Sequence, residues 1–328
     1  MDNIGQTNLR KYYLCRINYI AMRIVFLDAD TIGSDVSLAP IESKGELVVY
    51  PRTPQELADE RMAGFDVVIT NKVQIRKENI DKATSLKLIC VAATGTNNVD
   101  VEYAESKGIP VKNVAGYSTE SVSQVTFMHI LNLVGKGMYF DNFIKSGEYA
   151  RQGLFTDVSN PFFELKGKTI GIVAMGNIGR RVAQIATVFG MNVVYYSTSG
   201  TSHCTDYPSL PLEELLATSD IVSIHAPLNP KTANLITYDK MKLMKKEAYL
   251  VNVGRGGIVN EKELVDALND GLIAGAAVDV FEKEPFAPEH PYLTGLKDPS
   301  KLILTPHIAW ASREARKLLI EKLANNIE

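Results

Sequence analysis

Short β-branched runs alternate with longer amphipathic stretches along nearly the whole of this chain, and that alternation leaves few folds open. A strand followed by a helix-length segment and then another strand reads as a parallel pair, since an antiparallel partner needs only a tight turn. In the first third the strand candidates are residues 24–27, 47–50, 67–70, 88–91 and 111–113. A second series follows at 169–173, 192–196, 221–224, 249–253, 275–280 and 302–304. Helix-like segments at 53–62 and 101–107 lie within the first series, and Gly108 is a helix stop before Ile109-Pro110. A long apolar-rich helix is expected over 118–137, opening with a Ser-Thr-Glu-Ser capping signal. The more irregular stretch 138–168, with Gly147, Gly153 and Pro161, reads as the connection into the second series, and a charged helix over 312–327 closes the chain. At 328 residues the chain exceeds what one core usually covers, so two α/β units are expected.

Charge and cysteine usage narrow the function classes. A net charge of -3 gives no electrostatic footprint for nucleic acid or an anionic membrane, and no apolar run reaches bilayer length. Cys15, Cys90 and Cys204 lack the spacing of a metal knuckle or a redox pair, so no metal is expected. They read as inert thiols of a reducing, cytoplasmic compartment. Residues 1–21 read as an extended start or a loosely held tail, because Met22 opens a normal first strand.

The second series begins with Thr169-Ile-Gly-Ile-Val-Ala174-Met-Gly176-Asn-Ile-Gly179, a strand, a tight turn and a helix start. Gly176 lets backbone approach a pyrophosphate, the first amides at Asn177 and Ile178 point outward at a positive dipole end, and Gly179 permits close helix–strand packing. The first glycine of the usual dinucleotide fingerprint is replaced by Ala174. The next strand ends at Ser197 with no acid for the ribose hydroxyls and no Arg or Lys for a 2′-phosphate. NAD is the expected cofactor, on the missing positive charge, with NADP left open.

Ligands of open α/β sheets sit beyond the carboxyl ends of the strands. In this series those ends carry Gly176, then His225-Ala226-Pro227, then Gly254-Arg255-Gly256-Gly257, then Asp279 to Glu284-Pro285, then Thr305-Pro306-His307. Hydride reduction of a keto acid needs a forked cation for the carboxylate, which Arg255 supplies, and a proton donor titrating near neutrality, which His307 supplies. A neighbouring acid favours imidazolium, the part given to Glu284. Glu282 is the default solvated acid; His225 reads as structural or cofactor-lining, and His129, His203 and His290 as structural.

Gly254-Arg255-Gly-Gly, Asp279-Val-Phe-Glu-Lys-Glu284-Pro and Thr305-Pro-His307-Ile-Ala-Trp310 together resemble the D-isomer-specific 2-hydroxyacid dehydrogenase family. Ala93-Thr94-Gly95-Thr96-Asn97-Asn98-Val-Asp100 and Asn113-Val-Ala-Gly-Tyr117-Ser118-Thr are similar to its glycerate dehydrogenase, or hydroxypyruvate reductase, branch. The resemblance implies two doubly wound parallel-sheet domains and a homodimer joined through the cofactor domains. A flavodoxin-like substrate domain would take residues 22–118 and a C-terminal helix within 308–328, with an NAD(P)-binding Rossmann domain inserted at 119–307. It implies that Arg255 binds the substrate carboxylate and carbonyl, that His307 donates the proton and that Glu284 pairs with it. Thr94, Gly95 and Thr96 would meet the substrate carboxylate. Ala226, Pro227, Thr232 and Val253 would line the cofactor beside Gly176, Asn177, Ile178 and Ser197, and Asp279 would hold the nicotinamide carboxamide. Formate dehydrogenases carry Gln where Glu284 stands. D-lactate-type and phosphoglycerate dehydrogenases, and a dinucleotide-sensing corepressor on the same fold, are the alternatives.

Overall fold

The computed structural model describes residues 22–201 and 204–328; the expected tail over 1–21 and His203 lie outside the described residues. The described chain divides into two compact units. Residues 22–33, Ser37–Asn113 and Glu321–Glu328 form the first, and Ser34–Val36 with Val114–Ile320 form the second.

In the first unit five strands, β1 Arg23–Phe26, β2 Glu46–Val49, β3 Val67–Thr70, β4 Leu88–Val91 and β5 Val111–Lys112, pair in parallel in the order β2-β1-β3-β4-β5. Every residue of β3 and β4 is buried, the continuous apolar run expected when helices cover both faces of a sheet. Beyond β1 the buried Asp28 carboxylate accepts the backbone N–H groups of Asn71, Lys72 and Val73, fixing the turn after β3. Burial raises the Asp28 pKa against the opposing pull of those amides. Thr94, Gly95 and Thr96 lie in the loop after β4.

The second unit has six parallel strands, β6 Thr169–Val173, β7 Asn192–Tyr196, β8 Ile221–Ile224, β9 Tyr249–Asn252, β10 Gly275–Val278 and β11 Leu302–Leu304. Their order is β11-β10-β9-β8-β6-β7. The strand β6 therefore sits between β7 and β8, the chain winds off it in both directions, and a crevice is expected at the carboxyl ends there. The helices Thr119–Gly135 and Asn177–Val188 contribute to one hydrophobic cluster against the sheet, and Leu212–Thr218, Tyr238–Met241 and Glu261–Asn269 to a second.

Several local expectations meet a different structure. The long helix stops at Gly135, because Lys136 turns left-handed at φ 50°, and two further helices, Gly137–Lys145 and Glu148–Gln152, occupy part of the stretch read as irregular. Ser118 sits at the helix N-cap but its side chain makes no capping bond. By contact the second unit runs from Val114 to Ile320. The reason is in the contacts: Ser121 Oγ donates to the Ala309 carbonyl at 2.7 Å and accepts from Ser312 N–H at 3.2 Å, while Asp35 pairs with Arg313 and Arg316. These bonds hold the start of the last helix, Arg313–Asn326, within the second unit.

Candidate active site

Three loops at the carboxyl edge of the second sheet build the site. After β9, the Asn252 side chain splints the turn by accepting the Gly254 N–H and donating to the Arg255 carbonyl, both at 3.1 Å. Arg255 Nη1 donates to the Gly254 carbonyl at 2.8 Å, and no carboxylate pairs with this guanidinium among the described residues. Glycine is required at position 256: a Cβ there would stand 2.0 Å from the backbone carbon and oxygen of Phe281. The arginine turn thus lies backbone against backbone on the next loop.

That next loop follows β10 and carries Glu284. The carboxylate is oriented at both oxygens. Oε1 accepts the Phe281 N–H at 3.0 Å, and Oε2 faces His307 Nδ1 at 2.7 Å. A carboxylate only accepts, so Nδ1 carries the hydrogen and Nε2 is left as the working nitrogen. Among the described residues Nε2 has no partner. The two side chains keep 25% and 26% of their surface, so the pair is accessible to a small molecule.

His307, after β11, adopts φ 54°, a region that side chains with a Cβ enter at a cost and leave unless the surroundings hold them. Asp279 provides that hold. Its carboxylate, with 0% of its surface exposed, takes the Thr305 hydroxyl at 2.5 Å and the Ile308 and Ala309 amides at 2.9 Å, on either side of His307. Because Thr305 Oγ1 donates to Asp279, it accepts from His129 Nε2 at 3.2 Å, so the imidazole of His129 serves this anchor. Burial lowers the His129 pKa, with Asp279 pulling the other way. The family resemblance assigns Asp279 to the cofactor; the structure encloses both its oxygens among protein donors.

Tyr117 belongs to one of the family-like motifs, which by itself gives the residue no role. It is buried in the second unit, edge-on to Trp310 with 6.3 Å between ring centroids, and within the electrostatic reach of Arg255. Burial pushes its phenol up to about 12, against the pull of the Arg255 charge. Nothing in the spacing of the sequence marks it, since position 117 precedes Arg255 by most of a domain.

Around β6 the residues fit a dinucleotide. Ala174 takes φ 75°, so the backbone adopts the left-handed turn that the fingerprint glycine would take, in spite of the methyl group. Open space surrounds the Cβ position of Gly176, which caps the helix Asn177–Val188 without any side-chain bond, leaving the first-turn amides outward for a diphosphate. Gly179 packs tightly, its Cβ position 2.4 Å from the Ala174 carbonyl oxygen. At the end of β7 Ser197 Oγ donates to the Thr201 carbonyl at 2.6 Å and meets Ser199 Oγ at 3.1 Å, so hydroxyls stand where an acid was sought. Ala226, Pro227 and Val253 follow β8 and β9, with Ala226 and Val253 buried. Thr232 is enclosed too: its hydroxyl donates to the Pro227 carbonyl at 2.6 Å and accepts the Asn229 N–H at 2.9 Å, so it shapes the loop from inside. His225 Nε2 meets Ser223 Oγ at 2.9 Å, while Nδ1 is enclosed without a partner and burial pushes the ring down to about 3. Among the described residues no cluster of His, Cys, Asp and Glu could hold a metal ion, and no helix is long and apolar enough to cross a membrane.

The model of the D-isomer specific 2-hydroxyacid dehydrogenase NAD-binding domain matches residues 127–309. The chain belongs to this family. It is 37% identical to a putative 2-hydroxyacid dehydrogenase of Haemophilus influenzae, over 94% of this chain and 97% of that one. It is 34% identical to a glycerate dehydrogenase of Methylorubrum extorquens, over 93% of this chain and 95% of that one. Among solved structures, an NADPH-dependent glyoxylate/hydroxypyruvate reductase of Sinorhizobium meliloti, in complex with NADP and malonate, superposes with a TM-score of 0.79 at 26% identity, covering 94% of this chain and 92% of the other. This dehydrogenase therefore has an NAD(P)-binding unit built on β6 to β11, and the strand-end loops of that unit carry Arg255, Glu284 and His307.

Proposed function

We propose that this dehydrogenase reduces a small 2-keto acid, hydroxypyruvate or glyoxylate, to the D-2-hydroxy acid, with NAD as the physiological cofactor. The observation that carries the reading is the Glu284–His307 pair at 2.7 Å, with Nδ1 committed to the carboxylate and Nε2 free. A reduced nicotinamide bound along Gly176, Asn177 and Ile178 would supply the hydride. His307 gives its Nε2 proton to the carbonyl oxygen as that bond opens, and Glu284 stabilises the histidine in the state that donates. Arg255, free of any described carboxylate, forks onto the substrate carboxylate and polarises the carbonyl. Thr94, Gly95 and Thr96 are assigned backbone contacts to the substrate carboxylate.

On the cofactor side, Gly176, Asn177 and Ile178 take the diphosphate, Ser197 the adenosine ribose, and Ala226, Pro227 and Val253 line the nicotinamide half, on a loop shaped by Thr232. Asp279 is assigned the anchoring of the His307 backbone. The relatives that support hydroxypyruvate and glyoxylate act, by their names, on glycerate and on those two keto acids.

We further propose a homodimer joined through the second unit. Its support is a run of exposed apolar side chains between Met138 and Phe162, with Phe155 at 89% and Val158 at 80% exposure, side chains that an interface would cover. A cytoplasmic setting fits two buried thiols outside any disulfide, Cys90 with its pKa pushed up to about 12 by burial, and a nicotinamide cofactor.

The test is the initial rate of reduced-nicotinamide loss with hydroxypyruvate, glyoxylate and pyruvate, each with NADH and with NADPH. The fastest turnover with hydroxypyruvate or glyoxylate and NADH is expected. Turnover of none of them by protein that still binds the cofactor would refute the reading, and preference for NADPH would reverse the cofactor assignment. Light scattering on the purified protein reads the dimer, and Phe155→Asp should shift it towards monomer.

A further inference from the structure

The second unit holds another histidine–carboxylate pair, one that the reaction above does not use. Glu261 opens the helix Glu261–Asn269 and is buried. Its Oε2 lies 2.7 Å from His290 Nε2, and its Oε1 accepts the Glu282 N–H at 2.9 Å. His290 Nδ1 accepts the Tyr292 N–H at 3.2 Å as the N-cap of the short helix Pro291–Thr294, so the hydrogen resides on Nε2 and is donated to Glu261. Both ring nitrogens and both carboxylate oxygens are thereby engaged.

Glu261 thus holds the segment 281–290 at two points, and Glu284 lies between them. The His290 ring stacks on Phe286 at 4.4 Å between centroids, and Phe286 meets Phe281 edge-on at 4.7 Å. Phe281 is the residue whose N–H orients Glu284 Oε1. Glu261 itself touches neither Glu284 nor His307 in any bond described, so its influence passes through the backbone at Glu282 and through the aromatic rings around His290. A carboxylate buried for packing alone would be a costly choice beside Glu282, whose own pKa is raised by burial and by the Glu261 charge.

We propose that Glu261, through its bonds to His290 and to the Glu282 amide, is a positioning residue that sets where the Glu284 carboxylate stands against His307. The proposal rests on the reading of Glu284–His307 as the proton-donating pair. Releasing either hold lets the loop relax, and a displacement of about 1 Å at a reacting group costs up to about 10²-fold in rate.

A double-mutant cycle tests it: Glu261→Ala, Glu284→Ala and the double variant, with kcat and KM for the keto acid measured at saturating reduced nicotinamide. Glu261→Ala should lower kcat by about 10²-fold at little change in KM. The double variant should be no slower than Glu284→Ala alone, because the two act as one unit. Glu261→Gln, which keeps one of the two bonds, should fall between. Losses that multiply would show Glu261 acting independently of Glu284 and overturn the proposal.

Two further measurements keep it decidable. His290→Phe preserves the stack on Phe286 and deletes the Nε2 hydrogen, and carries the same cycle should Glu261→Ala fold poorly. The hydrogen-bonded imidazole N–H proton of His307, assigned in the NMR spectrum by its loss in Glu284→Ala, should weaken or vanish in Glu261→Ala and persist in Glu261→Gln. An unchanged signal in Glu261→Ala overturns the proposal. Because that signal needs no substrate, an enzyme that turned over no keto acid would sink the functional reading, while the His307 proton would still decide the positioning role.

Discussion

The pairs Glu284–His307 and Glu261–His290 share one nitrogen–oxygen distance, 2.7 Å, and lie on the same stretch of chain, yet they are built for different work. In the outer pair the side chains keep about a quarter of their surface, the histidine sits at a left-handed φ, and one ring nitrogen faces outward with nothing bound among the described residues. In the inner pair each partner keeps 11%, and both ring nitrogens and both carboxylate oxygens have a protein partner. A histidine with a spare nitrogen can exchange a proton with a ligand; one with both nitrogens engaged can only hold its neighbours. Distance and residue type do not separate the two roles, whereas a count of the lone pairs in use does.

The largest effect should come from the spare nitrogen. His307→Ala is expected to lower kcat for reduction by about 10²–10⁴, while the affinity for reduced nicotinamide, read by its fluorescence, stays near the parent value. A parallel loss of cofactor affinity would mean that His307 is structural like His290, and the comparison would collapse. Next comes Arg255→Ala, which removes two charge-assisted bonds and should reduce kcat/KM by about 10²-fold or more, through both KM and kcat. Arg255→Lys should restore little of it, since an ammonium cannot fork onto a carboxylate.

Smaller effects test the frame. Gly256→Ala drives a methyl group into the Phe281 backbone and should cost about 1–3 kcal/mol of stability in a urea titration, with activity falling as the Arg255 and Glu284 loops part. An unaltered midpoint would show that the two loops are not braced there.

The last prediction concerns His225, whose pKa falls from an ordinary 6.5 to about 3 on burial. The unfolded chain takes up this proton near 6.5 and the folded protein only near 3. Stability from this residue is therefore complete above pH 6.5 and drains away as pH falls towards 3. By pH 5 the loss should be about 2 kcal/mol, and His225→Gln should flatten the difference between titrations at pH 7 and pH 5. His129, lowered in the same direction, adds to the slope in both proteins.

Much of the frame was legible because its physics is local. The run 67–70 is wholly β-branched and buried, 169–173 is β-branched apart from Gly171 and buried apart from Thr169, and they became β3 and β6 at the expected bounds. Gly108, read as a helix stop, takes φ 75° just after the helix Val101–Ser106. Glu284 and His307 stood out because the loop after each strand of an open sheet projects into the crevice at the carboxyl edge. Glu261 and His290 did not. His290 reads from the sequence as structural, and Glu261 looks like any acid in the first turn of a helix, because their partnership closes across a gap in the chain that no periodicity spans. The break at Lys136 was hidden for a related reason, since nothing in its residue type announces a left-handed turn.

The sequence by itself determined the alternation of strands and helices, the glycine turn after β6, and the placing of Arg255, Glu284 and His307 at strand ends, since each comes from local periodicity and residue chemistry. Only the tertiary structure decided which histidine keeps a free nitrogen, that Asp279 braces the His307 turn, and that Glu261 reaches under the Glu284 loop. Those outcomes depend on which donors meet which acceptors once distant segments pack, and a buried polar group is satisfied by whatever folding brings to it, not by its neighbours along the chain.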